Sequence, residues 1–150
     1  MKKNIKFSNF DVFAITKELD LVLTQGKISN IYEIEDILIL KIKTKLNEKK
    51  ILIVKNDSRI NFTNYDYPIP KYPSQYIGSL RKLLKNRKIL AVNQHKFDRI
   101  IIFELSNIEG KPWKFIIIYD CFCYYTYIFS FSLNQAIILL FVLFSSQSSP

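Results

Sequence analysis

His95 is the only histidine in the chain, and Cys121 and Cys123 are the only cysteines. A catalytic triad needs a nucleophile, a base and an orienting acid held together, and a zinc site needs several Cys, His or carboxylate ligands. With no cysteine before residue 121 and no second histidine, His95 anchors neither, and it reads as a surface or turn histidine. The two cysteines, one residue apart, are too close for an ordinary disulfide and too few for a structural zinc site. Three glycines, Gly26, Gly78 and Gly110, supply neither a phosphate-cradling P-loop nor a dinucleotide fingerprint, which need clustered glycines. Phosphoryl transfer and hydride chemistry are thereby excluded. No enzymatic activity, cofactor or metal is expected.

What remains is charge. The chain holds 22 Lys and Arg against 13 Asp and Glu, a net charge of +9 and a pI near 9.5, which favours a polyanionic partner. Between Arg81 and Arg99 stand seven basic residues and one acid, a stripe suited to phosphate backbones. A solvated helix face is the alternative. Asp98 and Arg99 add to the stripe because Arg99 is expected to open an Ile-rich strand, where a charge is costly unless paired or aimed at a ligand. Neighbours on a strand point to opposite faces, so the two are not expected to pair with each other. A structural salt bridge made elsewhere is the other reading of the pair.

These residues need elements to hold them. Ser8 followed by Asp11 predicts a helix N-cap, after which Val12, Ile15, Leu19, Val22 and Leu23 recur at helical spacing until Gly26. Ile-rich runs at 28–34, 37–43, 50–55 and 59–63 predict an antiparallel meander with turns near 35–36, 46–49 and 56–58. Three prolines within 65–73 predict an extended connection. Ser74 then caps a second helix, with Tyr76, Ile77, Leu80, Leu83 and Leu84 towards the core and Arg81, Lys82, Lys85, Arg87 and Lys88 outward. Strands at 89–93 and 99–105 follow. The fold class is α+β, an antiparallel sheet or sandwich flanked by helices, without internal repeats.

Composition changes near residue 115, since every basic residue lies at or before Lys114 and the last charge is Asp120. The chain therefore divides into a domain at 1–115 and a charge-poor hydrophobic tail at 116–150. Residues 121–144 are uncharged and mostly apolar, and as a helix rising ~1.5 Å per residue they exceed the roughly 30 Å hydrocarbon core of a bilayer. A membrane-anchored basic domain is thus one reading, with a membrane partner only if the tail is genuine. Tyr124, Tyr125, Tyr127, Asn134 and Gln135 argue against a span. A Lys-, Asn- and Ile-rich chain implies an A and T-rich gene, whose shifted frames encode Phe, Tyr, Leu and Ser, so a frameshift or read-through product is a second reading. A core strand with a disordered end is a third. No signal peptide is expected in the polar start, and the domain is expected to be cytoplasmic.

Five local patterns occur in one order. Ser8-x-x-Asp11-Val12 opens the first helix, and Gly26-Lys27-Ile28-Ser29-Asn30-Ile31-Tyr32 follows it. Arg59-Ile60-Asn61-x-Thr63 closes the meander, Pro73-Ser74-x-Tyr76 leads to Leu80-Arg81-Lys82, and Gln94-x-x-x-Asp98-Arg99-Ile100 comes last. Together they resemble the N-terminal domain of the NFACT proteins, the ribosome-associated quality-control factors that include the fibronectin-binding-protein-A-like bacterial members. The resemblance implies a fold similar to the N-terminal domain of formamidopyrimidine-DNA glycosylases without the catalytic N-terminal proline, and here Lys2 follows Met1.

It also implies partners: tRNA, and the large ribosomal subunit carrying a stalled peptidyl-tRNA, on which the nascent chain receives an untemplated C-terminal tail. By the same resemblance Asp98 and Arg99 recognise tRNA, and Arg59, Arg81 and Lys82 lie in family motifs as further tRNA-binding candidates. Asn61 stands where the family often has histidine. Lys96 stands where it often has glycine, so the local turn would need a non-glycine residue in an unusual conformation. The family's helix-hairpin-helix region, coiled coil and further RNA-binding module are missing from this sequence, which reads as a fragment.

Overall fold

The computed structural model describes residues 7–55, 59–108, 111–119, 124–132 and 135–142. Helix α1 (Asn9–Leu23) precedes strands β1 (Lys27–Ile34), β2 (Ile37–Lys43), β3 (Lys49–Lys55) and β4 (Arg59–Thr63). Helix α2 (Gln75–Leu84) precedes β5 (Ile89–Gln94), β6 (Ile100–Ile108), β7 (Lys111–Tyr119), β8 (Tyr124–Ser132) and β9 (Gln135–Val142). Each run of strands pairs with its neighbours in chain order to make an antiparallel meander, β1 to β4 in the first sheet and β5 to β9 in the second. The α+β class, with antiparallel sheets and flanking helices, is as the sequence predicts.

The start of α1 is a reciprocal capping box. The Asp11 N–H donates to Ser8 Oγ at 3.2 Å while the Ser8 N–H donates to Asp11 Oδ2 at 2.7 Å, so two amides without helical partners are satisfied. Val12, Thr16, Leu19 and Leu23 then fall on one buried face, and the Thr16 hydroxyl is satisfied by donating to Val12 O at 2.6 Å. Beyond Leu23 the chain reverses tightly. A Cβ at Gly26 would lie 2.9 Å from Lys43 O and 3.0 Å from Leu23 O, so only glycine lets the backbone pass between the helix end and β2.

One buried cluster unites both sheets and both helices. It takes Leu38, Leu40, Leu52 and Val54 from the first sheet, Val92, Ile101, Phe103 and Phe115 from the second, Leu19 from α1 and Leu80 from α2. Helix α1 packs on β5 and β6, and α2 packs on β1. Strands β2 and β3 carry consecutive buried residues, which a sheet with one solvated face would not show. Ile39 and Ile53, opposite each other in register, point away from the cluster and are still buried. Over Ile39 lies the proline-rich connection, whose Tyr65, Tyr67 and Ile69 line a crevice with Ile39 and Ile51.

Past residue 115 the described residues continue as strands. Strand β7 runs through the expected seam without interruption, with Phe115 and Ile117 both buried. The segment expected as a possible membrane helix holds two strands instead, β8 pairing with β7 and β9 with β8. Among the described residues no helix is long and apolar enough to cross a membrane. The physical reason is that β-branched and aromatic residues, which make up most of Tyr124–Ser132, favour a pleated backbone, and pairing with β7 on one side and β9 on the other satisfies their amides.

Candidate nucleic-acid interface

Asp98 and Arg99 do not open a strand. Strand β5 ends at Gln94 and β6 starts at Ile100, so both residues belong to the hairpin turn between them, Asp98 exposed and Arg99 half-buried. The premise of two costly charges at a buried strand start is corrected: a turn leaves Asp98 hydrated at little cost. Backbone bonds from the His95 N–H to Ile100 O and from the Asp98 N–H to His95 O, both 3.0 Å, close this turn. Lys96 sits in it at φ 51°, the left-handed region that favours glycine, as the resemblance implies for this turn.

The Gln94 side-chain amide explains its place in the motif. From Nε2 it donates to Asp98 O at 2.9 Å and to Asn9 O at 3.2 Å, tying the turn to the first residue of α1. Phe97 adds a ring contact to the same helix. Its centroid lies 5.0 Å from that of Phe10, at 76° between planes, and 6.3 Å from that of Phe13. Lys17 Nζ rests 5.5 Å from the Phe13 centroid. The three rings remain exposed to water, Phe10 at 73%. Beside them a hollow of about 270 Å³ is lined by Phe13, Lys17, Asp20, Asn93, Lys96 and Phe97 among others. The sequence reading missed these aromatics; the available signal was that Phe10 and Phe13 fall outside the buried stripe of α1 and that Phe97 directly precedes Asp98.

The remaining candidates are dispersed. Arg81 does not point outward as the helical pattern suggests; its Nε donates to Ile31 O at 2.8 Å, and its guanidinium lies 4.9 Å from the Tyr32 ring centroid. Lys41 Nζ approaches the same ring to 5.1 Å, and Asn30 Nδ2 donates to the Tyr32 hydroxyl at 2.9 Å. Two of the sequence motifs are thus one structural unit, joined across α2 and β1. Lys82, the next residue, is exposed on α2. Arg59 starts the edge strand β4, directly opposite Lys55. Arg87 lies beyond the end of α2 and folds back, donating to Leu83 O at 3.1 Å and Ser106 O at 3.2 Å, and burial lowers its pKa. Asp98 and Arg99 share one turn, while Arg59, Arg81 and Lys82 sit on two other elements.

The fold and its surface define a class: a basic α+β domain of two antiparallel meanders, with a charged hairpin turn set against exposed aromatics on a helix. A family model described as NFACT N-terminal and middle domains matches residues 8–129. The chain belongs to the NFACT family. Human ribosome quality control complex subunit NEMF is 29% identical over 115 residues, covering 77% of this chain and 11% of its own length. Ribosome quality control complex subunit 2 of Saccharomyces cerevisiae is 34% identical over 110 residues, covering 71% of this chain and 10% of its own. The N-terminal domain of the fibronectin-binding protein PavA from Streptococcus pneumoniae superposes with a TM-score of 0.76 at 25% identity, covering 87% of this chain and 52% of that one. The chain therefore spans about a tenth of the length of these two curated relatives.

Proposed function

We propose that this domain is the tRNA-holding part of a ribosome-associated quality-control factor, acting in the cytoplasm on the large ribosomal subunit with its stalled peptidyl-tRNA. It binds and positions rather than catalyses, and it supports untemplated tailing of the nascent chain. The observation that carries the reading is the Asp98–Arg99 turn, fixed to α1 by Gln94 and Phe97 and flanked by exposed rings. RNA recognition works through that combination: a carboxylate and a guanidinium reach base edges or phosphates, and aromatic faces stack unpaired bases. The names of the relatives place them in ribosome quality control, which favours tRNA over other polyanions. A shared fold with the glycosylase N-terminal domain, without its nucleophile, is part of the same proposal.

The test uses the full chain and a set of purified tRNAs. The wild type is expected to bind with salt-dependent affinity and to rank the tRNAs. Asp98→Ala with Arg99→Ala should flatten the ranking while weak binding persists. Equal binding of every tRNA by both proteins would overturn the specific role. Phe97→Ala, which leaves both charges in place, should lower affinity for all tRNAs by loss of stacking and of turn rigidity.

A further inference from the structure

Four lysines stand in one lateral row across the first sheet. Lys49 is opposite Lys43, Lys43 is opposite Lys27, and Lys27 forms an antiparallel bridge with Lys88, just ahead of β5. Directly paired residues of an antiparallel ladder project to the same face, so the four ammonium groups share one side of the sheet. That side is the outer one, because Ile28 and Ile42, their chain neighbours, are buried in the core. At roughly 4.8 Å per strand the row is about 14 Å long.

The local structure holds this row together. The Gly26 passage brings β1 against Lys43, as described above, and reciprocal bonds link the same segment to the residues before β5. The Gln25 N–H donates to Ile89 O at 2.7 Å, the Ile89 N–H to Gly26 O at 2.8 Å, and the Ile28 N–H to Arg87 O at 3.0 Å. Lys88 is thereby fixed beside Lys27. Alongside the row a depression of about 330 Å³ is lined by Lys27, Lys43, Lys45 and Lys88 with Gln25, Thr44 and Asn47, and by no acid. The one acid of the β2–β3 loop, Glu48, is 3.7 Å from Lys50 instead. Among the described residues none of the five lysines Lys27, Lys43, Lys45, Lys49 and Lys88 forms an ion pair.

Like charges directly opposite on neighbouring strands destabilise a sheet, and three consecutive such pairs serve no purpose of the fold. We propose that the row Lys49, Lys43, Lys27 and Lys88, with Lys45 beside it, is a second RNA contact that tracks a phosphate backbone without reading sequence. Polar Gln25, Thr44 and Asn47 in the depression donate to phosphate oxygens alongside the lysines, as phosphate sites commonly do. The inference rests on the RNA-binding reading but concerns a different surface from the Asp98–Arg99 turn. The turn discriminates among tRNAs; the row adds affinity equally to all of them.

The experiment measures binding of the full chain to tRNA and to poly(U) across a salt series, for wild type, Lys43→Gln, the quadruple Lys27→Gln, Lys43→Gln, Lys49→Gln, Lys88→Gln, and Lys71→Gln as a lysine outside the row. The slope of log affinity against log salt should fall by about 0.7–0.9 for Lys43→Gln and by about 3 for the quadruple, the same for both RNAs, with the tRNA ranking kept. Lys71→Gln should match the wild type. Wild-type slopes in the quadruple would overturn the row while leaving the tRNA reading intact. Binding of poly(U) through the row without ranking of tRNAs would support the row and overturn the tRNA reading. Binding of neither RNA by the wild type overturns both. Row-dependent binding to phosphatidylserine vesicles with no RNA binding would assign the row to a membrane surface and overturn it as an RNA contact.

Discussion

Arg81 holds helix α2 to strand β1 through Ile31: its Nε donates to the Ile31 carbonyl across 2.8 Å, fifty residues away in the chain. A guanidinium so placed, with its plane near the Tyr32 ring, acts on stability first. Arg81→Lys keeps the charge and loses the fixed fork, and it should cost about 1.5–3 kcal/mol in chemical denaturation, the range for a hydrogen bond to a charged group. In Arg81→Gln, which removes the charge, the salt dependence of RNA binding should stay at its wild-type slope. A slope lowered by a full phosphate contact in Arg81→Gln would restore Arg81 to the RNA surface.

Gln94→Ala removes both bonds that its amide makes, to Asn9 O and to Asp98 O. A destabilisation of about 1–2 kcal/mol is expected. Faster amide exchange at His95 and Asp98 should accompany it, because the turn loses its link to α1. Unchanged exchange there would show that Phe97 alone secures the turn.

Lys96→Gly should stabilise the protein by about 0.5–1 kcal/mol, since an L-residue in the left-handed region costs about 1–2 kcal/mol and glycine gives back part of that in unfolded-state entropy. Thermal melts against Lys96→Ala, which keeps the strain, separate the backbone effect from loss of the charge. Equal melting temperatures for the two variants would refute it.

Glu33 is half-buried and accepts from Ser74 Oγ at 3.3 Å. Burial raises its pKa, the serine bond opposing only in part. A carboxyl with its folded value raised holds its proton more tightly in the native state, so its contribution is fully present below the unfolded value near 4.3 and is lost as pH rises through the folded value. Glu33→Gln, which still accepts from Ser74, should melt higher than the wild type at neutral pH, the difference vanishing in acid. Asp11 has the opposite sign: its Ser8 bonds lower its pKa, and the cap loses stability as pH falls through the folded value.

Much of the framework is legible in the residues. Ser8 and Ser74 mark both helix starts, and strands β1 to β6 fall within a few residues of the Ile-rich runs that predict them. The errors have physical causes. Arg99 precedes an unbroken Ile run and so resembles a strand residue, whereas the turn is set by the Gln94 side chain, which no pattern shows, and by Lys96 in the left-handed region, the unusual conformation that the resemblance implies there. Exposed Phe10 and Phe13 acquire meaning only beside Phe97, more than eighty residues later. The lysine row is invisible to one-dimensional spacing because its members come from four separate segments that only register brings together. An uncharged run of apolar and aromatic residues satisfies helix arithmetic as well as strand chemistry, and pairing with β7 decides between them in the tail.

The continuity of β7 through residue 115 bears on how the domain completes itself during synthesis. Phe103 on β6 has its ring 5.7 Å from that of Phe115, and Ile101 stands opposite Ile117. A nascent chain that has exposed only the residues up to the end of β6 therefore presents β5 and β6 while Phe115 and Ile117, the partners of Phe103 and Ile101, are still inside the ribosome. The open edge of β6 is covered only once β7 has emerged whole. A protein cut at the compositional break would be held permanently at that unfinished stage, with an open strand edge as its most adhesive surface.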